Sequence, residues 1–260
     1  ETSDAAVDAR AAALALEAGI PFGEARAIEE TLTVGGLANE TRYFATYPED
    51  IDMLGASFST ATLRTGTLIS GEIAQHFGWP VQIPAEQVLT AALSPLEFSD
   101  AFDQTPLGSF GANQVVKGFA TTDKTQLSLG LIQLFGPRLG AAETLFGFDI
   151  GWVHFADLPR SHPANAGSWG YRLTGGLTYE SVFGGFGVRP RVVWTHDVDG
   201  TSAGPGAAFI ERRKSITGGI ELDYNKRWTA SLSYTAFFGG TPINVLADRD
   251  FIRFNLIVFY

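Results

Sequence analysis

The 260-residue chain contains no cysteine, which removes disulfide scaffolds, thiolate metal sites and cysteine nucleophiles in one step. It also lacks any apolar run approaching the roughly 20 residues that a membrane-spanning helix requires. The most apolar window, Leu127 to Phe135, is broken by Ser128, Gly130 and Gln133, and the mean hydropathy is only +0.08. Basic residues are few: 18 Lys and Arg against 28 Asp and Glu leave a net charge of -10, which disfavours nucleic acid or an anionic inner-leaflet surface as partner. Residues Glu1-Thr2-Ser3-Asp4 have neither the basic start nor the apolar stretch of a secretory signal. The expectation is that a signal has been removed or that the chain is the C-terminal part of something longer. The four histidines, His76, His154, His162 and His196, are scattered without ligand spacing, so no metal site and no cofactor is expected.

What is present is alternation. In Phe251–Tyr260 the even positions are Ile252, Phe254, Leu256, Val258 and Tyr260, opposite Arg253 and Asn255. A period of two with one wholly apolar face is what a lipid-facing strand needs. The same pattern recurs from Arg42 onward. Leu54, Ala56 and Phe58 oppose Gly55, Ser57 and Ser59, and Ile69, Gly71 and Ile73 oppose Ser70, Glu72 and Ala74. Phe146, Phe148, Ile150 and Trp152 share a face, as do Val188, Val192 and Trp194 against Arg189, Arg191 and Thr195. Ile216, Ile220, Leu222 and Tyr224 oppose Ser215, Thr217, Glu221 and Asp223, and Trp228, Ala230, Leu232 and Tyr234 oppose Thr229, Ser231, Ser233 and Thr235. Nine or ten strands are expected.

The links alternate too: short near 63–66, 136–142, 183–187 and 225–227, long near 80–114, 157–168, 199–209 and 239–248. Short turns on one rim and long loops on the other are the habit of outer-membrane barrels. Periodicity does not say which face points inward, but the aromatics do. Trp152, Tyr171, Tyr179, Trp194, Tyr224, Trp228, Tyr234 and Tyr260 lie at strand ends on the apolar side, where membrane-interface girdles belong. The expected fold class is therefore all-β, an antiparallel transmembrane β-barrel over 42–260 or the C-terminal portion of one. Residues 1–41 are expected to form a loop or helical segment, plug or extracellular, with one helix over Ala5–Ala18 and a further helical turn within Gly23–Thr33. A helical piece is also expected at Ala85–Leu93 in the longest loop.

Three groups of residues are candidates for function. Glu72, Asp149, Arg172, Glu180, Arg189, Arg191, Glu221, Asp223 and Arg253 would line the lumen, either as a ladder of ion pairs that fills it or as a polar pathway that selects solutes. Asp197, Asp199, Asp248 and Asp250 sit in or beside long loops, where they either bridge calcium or face lipopolysaccharide cations, and Asp248-Arg249-Asp250 could fix the last hairpin. His196, Asp197, Ser202 and Ser168 would be the components of a lipid-modifying hydrolase, although no nucleophile motif singles out a serine.

Arg42-Tyr43-Phe44, Tyr47-Pro48-Glu49-Asp50-Ile51 and Leu54-Gly55-Ala56-Ser57-Phe58 form a signature that resembles a large proteobacterial outer-membrane family of unknown function. Phe135-Gly136-Pro137 with Gly140-Ala141, Asp223-Tyr224 with Trp228 to Thr235, Phe238-Gly239-Gly240, and Asp248-Arg249-Asp250-Phe251 are similar to the same family, over Arg42 to Tyr260. The resemblance implies a Gram-negative outer-membrane location and passage of hydrophobic or amphipathic material, either passive or coupled to an envelope exporter. Implied partners are outer-membrane lipid, lipopolysaccharide and the barrel-insertion machinery, which would read the C-terminal strand. The resemblance carries no catalytic residue. The alternatives are a scaffolding envelope protein with a plugged lumen and, further off, the hydrolase.

Overall fold

The computed structural model describes residues 2–96, 105–111, 113–204 and 207–259. Its residues cluster into two compact units. The first comprises Glu1–Asp50, Pro80–Thr121 and Pro159–His162, and the second Ile51–Trp79, Thr122–Leu158 and Pro163–Tyr260.

The first unit contains three helices among its described residues: α1 (Asp4–Ala18), α2 (Phe22–Glu40) and α3 (Ala85–Ala92). Helix α1 starts at Ser3, whose hydroxyl accepts from Ala6 N at 3.3 Å, and stops at Gly19, which adopts φ 66° in the left-handed region. Where only a further helical turn was expected, α2 runs for 19 residues. It is tied to α1: Arg26 reaches Asp4 at 2.5 Å and Asp8 at 2.7 Å, and Arg10 of α1 reaches Glu29 at 3.0 Å, while within α2 Arg26 also meets Glu30 at 3.2 Å. Val7, Ala11 and Ala25 close the seam between the two helices with no exposed surface. No helix among the described residues is long and apolar enough to cross a membrane.

The strands are β1 (Asp52–Ala61), β2 (Leu68–Gln82), β3 (Phe119–Phe135), β4 (Glu143–Phe155), β5 (Gly167–Phe183), β6 (Phe186–Asp199), β7 (Lys214–Tyr224), β8 (Trp228–Phe238) and β9 (Phe251–Val258). They form one antiparallel sheet in simple chain order, β1 to β9. Among the described residues β1 pairs only with β2 and β9 only with β8, so the sheet keeps two edges and is not closed. The nine strands thus make an open antiparallel wall, short of the closed barrel that the hairpin array alone suggests.

Turn chemistry explains the tight hairpins. Leu139-Gly140, Gly184-Gly185 and Asn225-Lys226 each place two consecutive residues at positive φ, the twist that lets a two-residue turn join antiparallel strands. These turns and the Thr62–Thr67 connection leave one end of the sheet. The long connections 83–118, 156–166, 200–213 and 239–250 leave the other. The last of these is fixed by Asp250, which accepts from Tyr234 Oη at 2.6 Å and from Phe237 N at 2.9 Å.

Candidate functional site

Paired residues in an antiparallel ladder share a face, so the registers assign every paired side chain in the sheet to one of two faces. Val258, Leu256, Phe254 and Ile252 pair with Trp228, Ala230, Leu232 and Tyr234. Those in turn pair with Tyr224, Leu222, Ile220 and Gly218, and the row continues into Phe186, Val188, Pro190 and Val192 of β6. Trp194 faces Leu173, which faces Phe148, which faces Leu131. The larger share of the apolar side chains therefore falls on this face, and none of those named is buried, whereas Ile132, Leu134, Leu145, Val153 and Val193 fall on the other. Leu232 is 50 % exposed, Phe254 65 % and Ile73 49 %.

Aromatic residues mark both ends of this face. Near the tight turns, Phe186 and Tyr224 lie with ring centroids 4.6 Å apart, and Trp228 is the register partner of Tyr224. Near the long connections, Trp194 donates from Nε1 to Tyr171 Oη at 3.3 Å and stands 5.7 Å from Phe238, while Trp152 pairs with Trp169. Tyr179 sits at the turn end opposite Val188, and Tyr234 lies in β8 opposite Ile252. Tyr260, the remaining expected girdle residue, lies outside the described residues.

The opposite face carries the polar side chains. Glu72 faces Ser57, Asp149 faces Arg172, Arg189 faces Glu221, Asp223 faces Thr229 and Arg253 faces Ser233. Arg191 stands between two glycines, Gly176 and Gly219. Glu180 is the exception: it falls inside the register shift between Tyr179 and Phe183, where pairing assigns it no side. Cross-strand hydrogen bonds tie this face together. Thr195 and Ser215 hydroxyls meet at 2.5 Å, Thr217 and Thr235 at 2.9 Å, and Asn255 donates to Ser231 at 3.2 Å. Arg189 meets Glu221 at 2.8 Å, and this is the one ion pair formed among the nine expected lumen charges. The face is therefore hydroxyl-rich and partly charged, rather than filled by a continuous ion ladder.

The components of the hydrolase alternative separate. Ser168 and Ser202 join through their hydroxyls at 2.8 Å, both buried, and Asp197 lies on the same face. His196 is on the other face, against Tyr171 and Trp194 at 5.6 and 6.3 Å between ring centroids. Asp197 binds Ile210 N at 3.0 Å and Arg213 Nε at 2.7 Å instead, so it holds the 200–213 loop. Among the described residues no three His, Asp or Glu side chains converge as a metal site would require.

Sequence reasoning missed Phe209. Its ring lies over Gly151 and Gly170, which pair across β4 and β5 on the polar face. A Cβ added at Gly151 would come within 3.1 Å of the ring, and one at Gly170 within 3.0 Å. No local signal announces this seat, because it depends on a register between distant strands.

Comparison with curated proteins and with solved structures finds no match. The sequence profile of one family covers residues 8–258, which takes in α1 from Asp8 onward, α2 and all nine strands. The chain belongs to that family, described as Protein of unknown function (DUF1302).

Proposed function

We propose that the nine-stranded sheet is the wall of an outer-membrane β-barrel whose polar face lines a passage for hydrophobic or amphipathic substrates. The observation that carries this reading is the uncovered apolar face with aromatic residues at both ends. A soluble sheet buries such a face, because apolar area removed from water stabilises by about 25 cal/mol per Å². Here it runs across the sheet unburied, which suits a lipid surroundings.

The dimensions agree. Phe186 to Trp194 spans about 27 Å and Trp228 to Phe238 about 34 Å at 3.4 Å per residue. At the 35–45° tilt of outer-membrane strands these become about 19–28 Å, close to the roughly 25 Å apolar band of such barrels. In lipid the unpaired edges of β1 and β9 would need strand partners, since bare backbone donors and acceptors cost several kcal/mol each in hydrocarbon. Lipid and lipopolysaccharide would face the apolar side, the insertion machinery would take the last strand, and an envelope exporter would deliver the substrate.

The test is reconstitution of the full-length protein into planar bilayers and vesicles. Ion conductance together with uptake of an amphipathic solute supports the passage. A sealed, stably inserted protein supports the second reading, a scaffolding envelope protein, which the inward packing of the 200–213 loop on the polar face favours.

A further inference from the structure

The connection between β6 and β7 does not hang free at the strand ends. Its residues 200–204 and 207–213 fold back on the polar face and are fixed there at several points. Ser202 bonds Ser168 of β5 at 2.8 Å, and the same hydroxyl accepts from Phe209 N at 3.1 Å. Ser202 N donates to Phe209 O at 2.9 Å, so these two residues are paired in both directions. Asp197 holds Ile210 N and the Arg213 guanidinium, and Arg213 Nη2 closes back on Ala208 O at 3.0 Å. Further out, Thr201 Oγ1 accepts from Glu211 N at 3.1 Å, and Thr201 N donates to Asn165 Oδ1 at 2.8 Å.

All this bonding places one aromatic ring. Phe209 lies against the Gly151–Gly170 pair: a Cβ at Gly151 would meet the ring first, and one at Gly170 would meet the β6 backbone at His196 O, 2.8 Å away, as well as the ring. Phe209 as a whole is part-buried, with its ring resting on the glycines. The next residues along the same face are Asp149 and Arg172, themselves register partners. A part-buried apolar ring near a cation and an anion, on a face that carries hydroxyls and glycines together with Ile132, Leu145, Val153 and Val193, is a surface of mixed character. A cap that only closed the strand ends would not need a glycine pair to seat its aromatic.

We infer that residues 200–204 and 207–213 form the constriction of the passage proposed above, and that Phe209 is its specificity-determining side chain, admitting slim apolar or amphipathic solutes past the Arg172–Asp149 pair. The inference rests on the passage reading and deepens it. Hydrophobic constrictions control flow by width and wetting, so the ring acts on both the size and the hydration of what passes.

These 260 residues contain no cysteine, so Phe209→Cys introduces the sole thiol among them. In single-channel recordings of the full-length protein, Phe209→Ala is expected to raise conductance about two-fold and Phe209→Trp to lower it by a similar factor. Bulky methanethiosulfonate reagents applied to inserted Phe209→Cys should cut conductance stepwise with reagent size. That arm is run on protein already folded in the bilayer, so it reads the passage and not assembly. Wild-type conductance with no response to any of the three changes overturns the inference and leaves the passage standing. A wild-type protein that is inserted but conducts nothing overturns both.

Discussion

The two faces of β7 and β8 hang on one hydrogen-bonded ladder, yet they differ in everything that side chains decide. Ile216, Ile220, Leu222, Ala230 and Leu232 on one face touch nothing that hides them. Thr217, Glu221, Ser231 and Thr235 on the other bond to one another or to the neighbouring strands. The backbone is therefore indifferent to surroundings, and the faces are not. What separates them is which solvent each can tolerate, and substitutions placed one residue apart should expose the difference.

The largest effect is expected from a charge on the apolar face. Leu232→Arg should destabilise the inserted protein by about 2–4 kcal/mol, whereas Ser231→Arg, its immediate neighbour on the polar side, should stay within about 0.5 kcal/mol. Denaturant titration in phospholipid vesicles measures both. Equal losses would remove the distinction between the faces.

Gly218 and Gly219 make a second such pair. A Cβ at Gly218, on the apolar face, meets nothing within 4 Å, while one at Gly219 comes within 3.0 Å of Ser233 Cβ and 3.2 Å of Leu232 O. Gly219→Ala should therefore cost about 1 kcal/mol, and Gly218→Ala should be neutral or gain about 0.5 kcal/mol from the stiffer chain. The same titration reads both variants.

The charges of the polar face sharpen the comparison with a smaller stability effect. Arg189 and Glu221 are each close to half exposed, so Glu221→Gln should cost about 0–1 kcal/mol. Arg191 has glycine on both sides, and Arg191→Glu should leave stability unchanged. In the passage reading it should move ion selectivity towards cations, measured as a shift in reversal potential under a salt gradient. Lost stability with unchanged selectivity would make these charges structural.

The faces were legible because a strand's period of two survives in sequence wherever both faces are strict, as from Ser215 to Thr235. Legibility failed where the signal is not local. Helix α2 contains Thr31, Thr33, Gly35 and Gly36, poor helix formers, and is held by ion pairs to α1 that no window of α2 reveals. The Ser168, Asp197 and His196 set suffered from a boundary: β6 continues to Asp199, so His196 and Asp197 alternate to opposite faces. Glu180 was assigned a side by parity, but the register shifts there and pairing gives it no side. The Phe209 seat depends on which glycine of β4 pairs with which glycine of β5, and composition does not encode register. The family signature around Tyr47 to Phe58 identified the chain's relatives without describing the site.

The smallest effect concerns the end of the sheet, where the distinction between faces gives way to loop chemistry. Asp250 precedes β9 and holds the last hairpin by accepting from the Tyr234 hydroxyl and from Phe237 N. The Tyr234 bond, then the backbone bond, hold its carboxyl below the ordinary 3.8, with burial opposing them weakly. A carboxyl that titrates lower in the folded state than in the unfolded one stabilises the fold above its ordinary value and loses that contribution as pH falls through the folded value. Protection of the β9 amides from hydrogen exchange should therefore be constant above pH 4. This protection, corrected for the intrinsic exchange rate, should fall as the medium is acidified below that point. Asp250→Asn should abolish the pH dependence and loosen β9 at neutral pH, with no change in β4 or β5. A decline in wild-type protection spread evenly across the sheet would show that the acid response belongs to other carboxylates, and that Asp250 is an ordinary loop residue.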